Sequence, residues 1–144
     1  MDRAAPIIVI GGANIDISAK YKSPVSAAGD SHNGEISTSA GGVARNIAEN
    51  LARLGSAVQL ITGLGDDTFS VSIRESLNLP LLDISGCYAP PNTTSDSYLS
   101  LYDFTGELIS AVNEMHLVNK LTPSYLKPLE TQITSAALII ADCN

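Results

Sequence analysis

Apolar and polar positions along this chain fall into three rhythms. Ile7 to Ile10 and Ala136 to Ala141 are unbroken apolar runs, the pattern of strands buried on both faces of a parallel sheet. Ile15-Asp16-Ile17-Ser18-Ala19-Lys20-Tyr21 alternates with period two and predicts a strand. Ser95 to Asp103 alternates in the same way. With the tight turn Phe104-Thr105-Gly106-Glu107 and the return segment Leu108 to Val112, it predicts an antiparallel hairpin with one dry and one wet face. Between these, Val43, Ile47 and Leu51 recur every four residues, with Ala44, Ala48 and Leu54 beside them. That is one apolar stripe on a helix of about three to four turns. Gly55 follows the last periodic residue, where a left-handed helix end wants no side chain.

The remaining segments connect these elements. Gly11-Gly12-Ala13-Asn14 breaks the first strand, but no Gly-x-Gly-x-x-Gly follows and the next segment is a strand, so a dinucleotide site is not supported. Residues 22–34 read as a loop, Glu35 to Ser39 as a short strand, and Ser56 to Thr62 as a strand completing a β-α-β unit. Asp66 or Asp67, in the turn Gly63-Leu64-Gly65-Asp66-Asp67, caps a helix from Thr68 to Leu77; capping suits these aspartates better than catalysis. Pro123 to Ser135 reads as one helix. The strand-like segments 15–21, 35–39 and 96–112 lie apart from the β-α core and predict a small accessory sheet. The strand ending at Ala141 has no crossover helix after it in this sequence, which predicts the front half of a larger α/β protein.

Composition narrows the function classes. The 144 residues are 44% hydrophobic, as a globular domain requires. A net charge of −7, with eight scattered Lys and Arg, argues against nucleic-acid or anionic-membrane partners. Cys87 and Cys143 read as reduced core thiols rather than a disulfide or a metal site, and His32 and His116 match no zinc spacing. The start lacks a signal-peptide layout, and no apolar run approaches the ~18–20 residues of a membrane span; the expectation is a cytoplasmic protein.

Chemistry concentrates at Gly41-Gly42. Paired glycines let another group approach the backbone and leave the first N–H groups of the helix uncovered, a setting that attracts oxygen-rich or anionic ligands. Asn46 stands one turn in, where Ala would favour the helix by roughly 0.5 kcal/mol. Taken alone, the stretch fits equally well a plain glycine turn before an amphipathic helix with Asn46 solvated.

Taken together, these residues resemble the ribokinase (PfkB-type) carbohydrate kinase family. The likeness rests on Gly-Gly-Ala-Asn14-Ile-Asp16 after the first strand, and on Gly41-Gly42-Val-Ala-Arg-Asn46-Ile-Ala. It continues through Leu54-Gly55, Gly63-Leu-Gly-Asp66-Asp67, the hairpin Ser97-Tyr98-Leu99-Ser100-Leu101-Tyr102-Asp103 with Gly106-Glu107, and the strand ending at Asp142. It spans essentially the whole chain and matches the N-terminal half of the family. The helix start and the hairpin look most like those of family members that phosphorylate the 5′-hydroxyl of pseudouridine.

The resemblance implies a doubly wound, mostly parallel sheet with a small antiparallel β lid, contributed by segments of about 15–40 and 85–112. It implies a sugar or nucleoside as substrate, bound by Asn14, Asp16, Gly41, Gly42 and Asn46, with Val43, Asn113, Asp142 and Asn144 as further candidates. Asp16 would bridge two vicinal hydroxyls and Asn46 would offer a donor and an acceptor. ATP and Mg2+ are implied for the intact enzyme, held by a C-terminal half with a Gly-Ala-Gly-Asp segment that this sequence does not contain. No catalytic or metal-ligating residue is therefore expected here, and the chain alone is expected to be inactive. A homodimer through the lid is implied as well. The alternative is a non-catalytic sugar- or nucleoside-binding or assembly module.

Overall fold

The first apolar run becomes β1 (Ile7–Ile10), and Ile8 and Val9 are wholly buried, which is why the run contains no polar position. The computed structural model describes residues 5–25 and 29–142. β1 lies between and parallel to β4 (Val58–Ile61) and β8 (Leu138–Ala141), and the two-residue β5 (Leu82–Asp83) adds to β4. From β1 the chain passes through Gly11-Gly12 into β2 (Asn14–Tyr21), the expected strand. β2 pairs antiparallel with β3 (Gly34–Gly41) and parallel with β6 (Ser97–Tyr102). β7 (Leu108–Glu114) closes this second sheet in the order β3-β2-β6-β7. It is the accessory sheet predicted from sequence. β3 is longer than the predicted 35–39 and runs straight into α1 (Val43–Arg53).

Helix α1 packs on the parallel sheet through Ala44, Ala48 and Ala52, against a core of Val9, Val58, Leu60 and Leu64. The stripe is therefore rotated from the one expected. Ile47 and Leu51 flank the core, while Val43 and Leu54 are 48% and 82% exposed. Alanines face the sheet because their small side chains allow close approach. α2 (Thr68–Ser76) is capped by Asp67, whose Oδ1 accepts the Ser70 N–H at 2.9 Å. The same carboxylate accepts the Ser95 N–H at 2.9 Å and hydroxyl at 2.6 Å. Burial raises the Asp67 pKa, but these donors outweigh it and hold the group below the usual carboxylate range. Asp66 accepts the Asn92 N–H at 3.1 Å, so both aspartates are structural, as the sequence reading has it.

The strand before α1 belongs to the second sheet, as expected, and the β-α-β unit is β1, α1 and β4 with β2 and β3 inserted in its crossover. Four expectations are corrected. The second sheet is mixed rather than antiparallel, because its central strands β2 and β6 run parallel. Pro123 to Ser135 is not one helix. It divides into α3 (Pro123–Leu126), a 3-10 turn (Lys127–Leu129) and α4 (Glu130–Thr134). Pro128 explains the break, because it lacks the N–H a continuous helix needs and crowds the preceding turn. The last apolar run does not lie inside the described sheet: β8 is an edge strand, with Leu138 and Ile139 about half exposed. Nor does the hairpin have a dry face along its return strand, since every residue of β7 is exposed at the sheet edge.

Cys87 is half-buried and directs its thiol to the Leu60 carbonyl at 3.2 Å; burial pushes its pKa up to about 11, which keeps it an unreactive thiol. Cys143 and Asn144 lie outside the described residues. Among the described residues no helix is long and apolar enough to cross a membrane.

Candidate functional site

Three chain segments converge where β1 and β8 end, α1 begins and the second sheet departs. In the β2–β3 register Asn14 stands opposite Gly41 and Asp16 opposite Ser39. Asn14 is buried and donates its side-chain N–H to Asp16 Oδ1 at 2.7 Å, which holds the half-buried carboxylate in one orientation. Asp16 then lies across the backbone of Gly41. A Cβ there would sit 2.7 Å from Asp16 Oδ1 and overlap Oδ2, so only glycine admits this placement.

Gly42, with φ +98°, caps α1 with no side-chain hydrogen bond. Its Cα faces Gly12-Ala13 so closely that a Cβ would come within 2.6 Å of the Ala13 Cα. The Arg45 and Asn46 N–H groups bond to the carbonyls of Gly12 and Gly42. No acceptor from the described residues takes the N–H of Val43 or Ala44, so the helix start is open to a ligand oxygen. Across from it, half-buried Asp142 accepts the Gly12 N–H at 3.4 Å and donates its own N–H to Ile10.

Strand register adds a second feature. Ser39, Asp16, Tyr98 and Asn113 form one cross-strand row over β3, β2, β6 and β7. Paired residues project to the same face, so Tyr98 and Asn113 share the face that carries Asn14 and Asp16. Asn113 is two strands from Asp16, roughly 10 Å away. The opposite face carries Ile17, Ile36, Leu99 and Val112, and the last three are 77%, 46% and 65% exposed.

Asn14, Asp16, Gly41, Gly42 and Val43 thus meet at one point, with Asp142 bordering it. Asn46 is exposed one helical turn away, and its Oδ1 accepts from the Arg45 guanidinium. Two residues escaped the sequence reading. Tyr98 was legible only as part of a hairpin, because its alignment with Asp16 is set by pairing between distant strands. Arg45 is given no role by the sequence reading, yet it is 4% exposed; its spacing of four from Glu49 is the available signal.

Chemically the site offers a fixed carboxylate acceptor beside open backbone donors, a setting for a neutral polyhydroxyl group. Gly41→Ala should displace Asp16, lower stability by about 1–3 kcal/mol and weaken any polyol ligand at least tenfold. Denaturant melts and ligand titration of the variant check both. Among the described residues no three His, Cys, Asp or Glu side chains group as metal ligands.

Residues 4–142 match the pfkB family of carbohydrate kinases. The pseudouridine kinase of Escherichia coli strain K12 is 38% identical over 138 residues, 96% of this chain and 44% of the relative. A carbohydrate kinase from Agrobacterium tumefaciens superposes with a TM-score of 0.84 at 28% identity, covering 95% of this chain and 45% of that one. The ribokinase of Arabidopsis thaliana, solved with ribose and ATP, superposes with a TM-score of 0.76 at 19% identity, over 96% and 45% of the two chains. The fold is ribokinase-like, and the chain spans less than half the length of these relatives.

Proposed function

The chain belongs to the PfkB family of carbohydrate kinases, and from that premise we propose that it forms the substrate-recognition part of an ATP-dependent kinase that phosphorylates a ribosyl hydroxyl, with pseudouridine as substrate and its 5′-hydroxyl as acceptor. The observation that carries the reading is the Asp16 carboxylate, oriented by Asn14 and laid over Gly41 beside the open start of α1. One carboxylate with a free oxygen edge can accept from two vicinal hydroxyls. The Val43 and Ala44 N–H groups supply complementary donors, and Asp142 borders the same opening.

Tyr98 and Asn113 extend this face toward the base. A tyrosine ring offers a flat surface for stacking, and an asparagine amide can donate and accept toward a pyrimidine edge. The E. coli relative, a pseudouridine kinase by name, supports this choice of substrate. Phosphoryl transfer rests on positioning and on charge stabilisation around the transferred group. In this reading the described residues contribute the positioning: they bind the sugar and fix its hydroxyl. Binding of ATP with Mg2+ belongs to the family enzyme, and no residue described here is assigned to it.

Calorimetric titration with pseudouridine, uridine and ribose tests the proposal. Saturable binding that favours pseudouridine supports it, and silence from all three in a folded sample refutes it. The apolar outer face of the second sheet (Ile36, Leu99, Val112) is proposed to pair with a second copy of the chain. Sedimentation velocity should then show a dimer that Leu99→Asp dissociates; a monomeric parent chain would end that reading.

A further inference from the structure

Arg45 is a buried charged side chain beside the site, 4% exposed, and it reaches residues on both sides of the helix start. Its Nε–H donates to the Gly41 carbonyl at 2.9 Å. Its Nη1 donates to Glu49 Oε2 at 2.6 Å and to the Ser76 hydroxyl at 2.9 Å, which ties α1 to α2. Its Nη2 donates to Asn46 Oδ1. The positive charge is answered by Glu49, which Arg53 also contacts.

A guanidinium has only donors. Whatever faces Nη2 must therefore be the oxygen of the Asn46 amide, and the ambiguity between the two ends of an asparagine is resolved by chemistry. With the oxygen end turned to Arg45, the exposed Asn46 side chain directs its NH2 outward. Through the Gly41 carbonyl, the same guanidinium braces the backbone on which the Asp16 carboxylate rests.

We infer that Arg45 is a positioning residue that locks Asn46 as a hydrogen-bond donor, so that the site addresses a ligand hydroxyl with an acceptor at Asp16 and a donor at Asn46. A hydroxyl both donates and accepts, so it satisfies this pair, whereas a carbonyl or ether oxygen in its place leaves Asp16 unmatched. The inference narrows the sequence expectation that Asn46 serves as donor and acceptor alike, and it rests on the sugar site proposed above.

The test combines binding and spectroscopy on the chain. Asn46→Ala should weaken pseudouridine about tenfold. Asn46→Asp keeps an oxygen for Arg45 but turns the outward donor into an acceptor, so it should bind more weakly than Asn46→Ala. If Asn46→Asp instead binds better than Asn46→Ala, the donor assignment is overturned. Arg45→Met should cost about tenfold in the parent and clearly less in the Asn46→Ala background, where only the brace on the Gly41 carbonyl is left to lose, and Arg45→Lys should recover part of the loss. Equal losses in both backgrounds would mean that Arg45 does not act through Asn46 and would overturn the lock. In the ligand-free protein, Arg45→Met should shift the Asn46 side-chain NH2 signals in 15N-edited NMR spectra; unchanged signals would refute the lock. A parent chain with the lock in place that binds none of pseudouridine, uridine or ribose would refute the proposed sugar site and leave the orientation of Asn46 standing.

Discussion

Asp16→Ala is expected to abolish measurable pseudouridine binding, with a loss of 100-fold or more. A carboxylate that accepts from two hydroxyls makes two charge-assisted hydrogen bonds, each worth about 1.5–3 kcal/mol. Losing both removes at least about 3 kcal/mol, which is two orders of magnitude in affinity. Stability should change far less. Asp16 is half-buried, and among the described residues its carboxylate accepts from the Asn14 amide, which borders the opening. Calorimetry and thermal melting on one sample separate the two effects. Residual affinity within tenfold of the parent would remove Asp16 from the site.

The largest stability effect is expected at Asp96. Its side chain is 1% exposed and accepts three backbone N–H groups, from His116 and Leu117 at 2.8 Å and from Val118 at 3.1 Å. His116 Nδ1 lies 3.2 Å from the same carboxylate. The Asp96 backbone carbonyl accepts the Ile15 N–H at 2.9 Å. Asp96 thus stands where β6 begins and fastens the segment that follows β7, so both ends of the hairpin are tied at one point. The neighbouring Leu117 is buried against Gly63, where any Cβ would overlap its side chain. Asp96→Ala strands three donors in dry surroundings. Allowing for relaxation, the expected cost is about 4 kcal/mol. Asp96→Asn keeps one acceptor oxygen and should cost less. Denaturant midpoints read the loss, and amide exchange should show residues 97–114 opening first. A cost below about 1 kcal/mol would mean that the hairpin is anchored elsewhere.

How much of this was legible beforehand depends on the range over which each feature is determined. β1, β2 and α1 follow from local periodicity, and the Asn14, Asp16 and Gly41-Gly42 cluster follows from a motif whose parts sit at strand and helix ends. The break at Pro128 was written in the sequence, but the apolar spacing around it suggested a single helix. Asp96 and Arg45 were not legible as buried groups. Partners about 20 and 31 residues away, Leu117 and Ser76, help to bury them, and the one local sign, the spacing of four from Arg45 to Glu49, fits a solvated ion pair equally well. Alternation in the hairpin was real, but the dry face it implied needs a covering layer, and β7 has none among the described residues. The row from Asp16 through Tyr98 to Asn113 depends on register between strands far apart in sequence.

The polar row and the open helix start frame a single claim, that a ribosyl ligand sits between them. Backbone-resolved NMR of the chain titrated with pseudouridine tests it most directly. The account predicts saturable shifts confined to residues 11–16, 41–46 and 98, with Asn113 and Asp142 moving more weakly. Shifts centred elsewhere, or none in a folded sample, would contradict it.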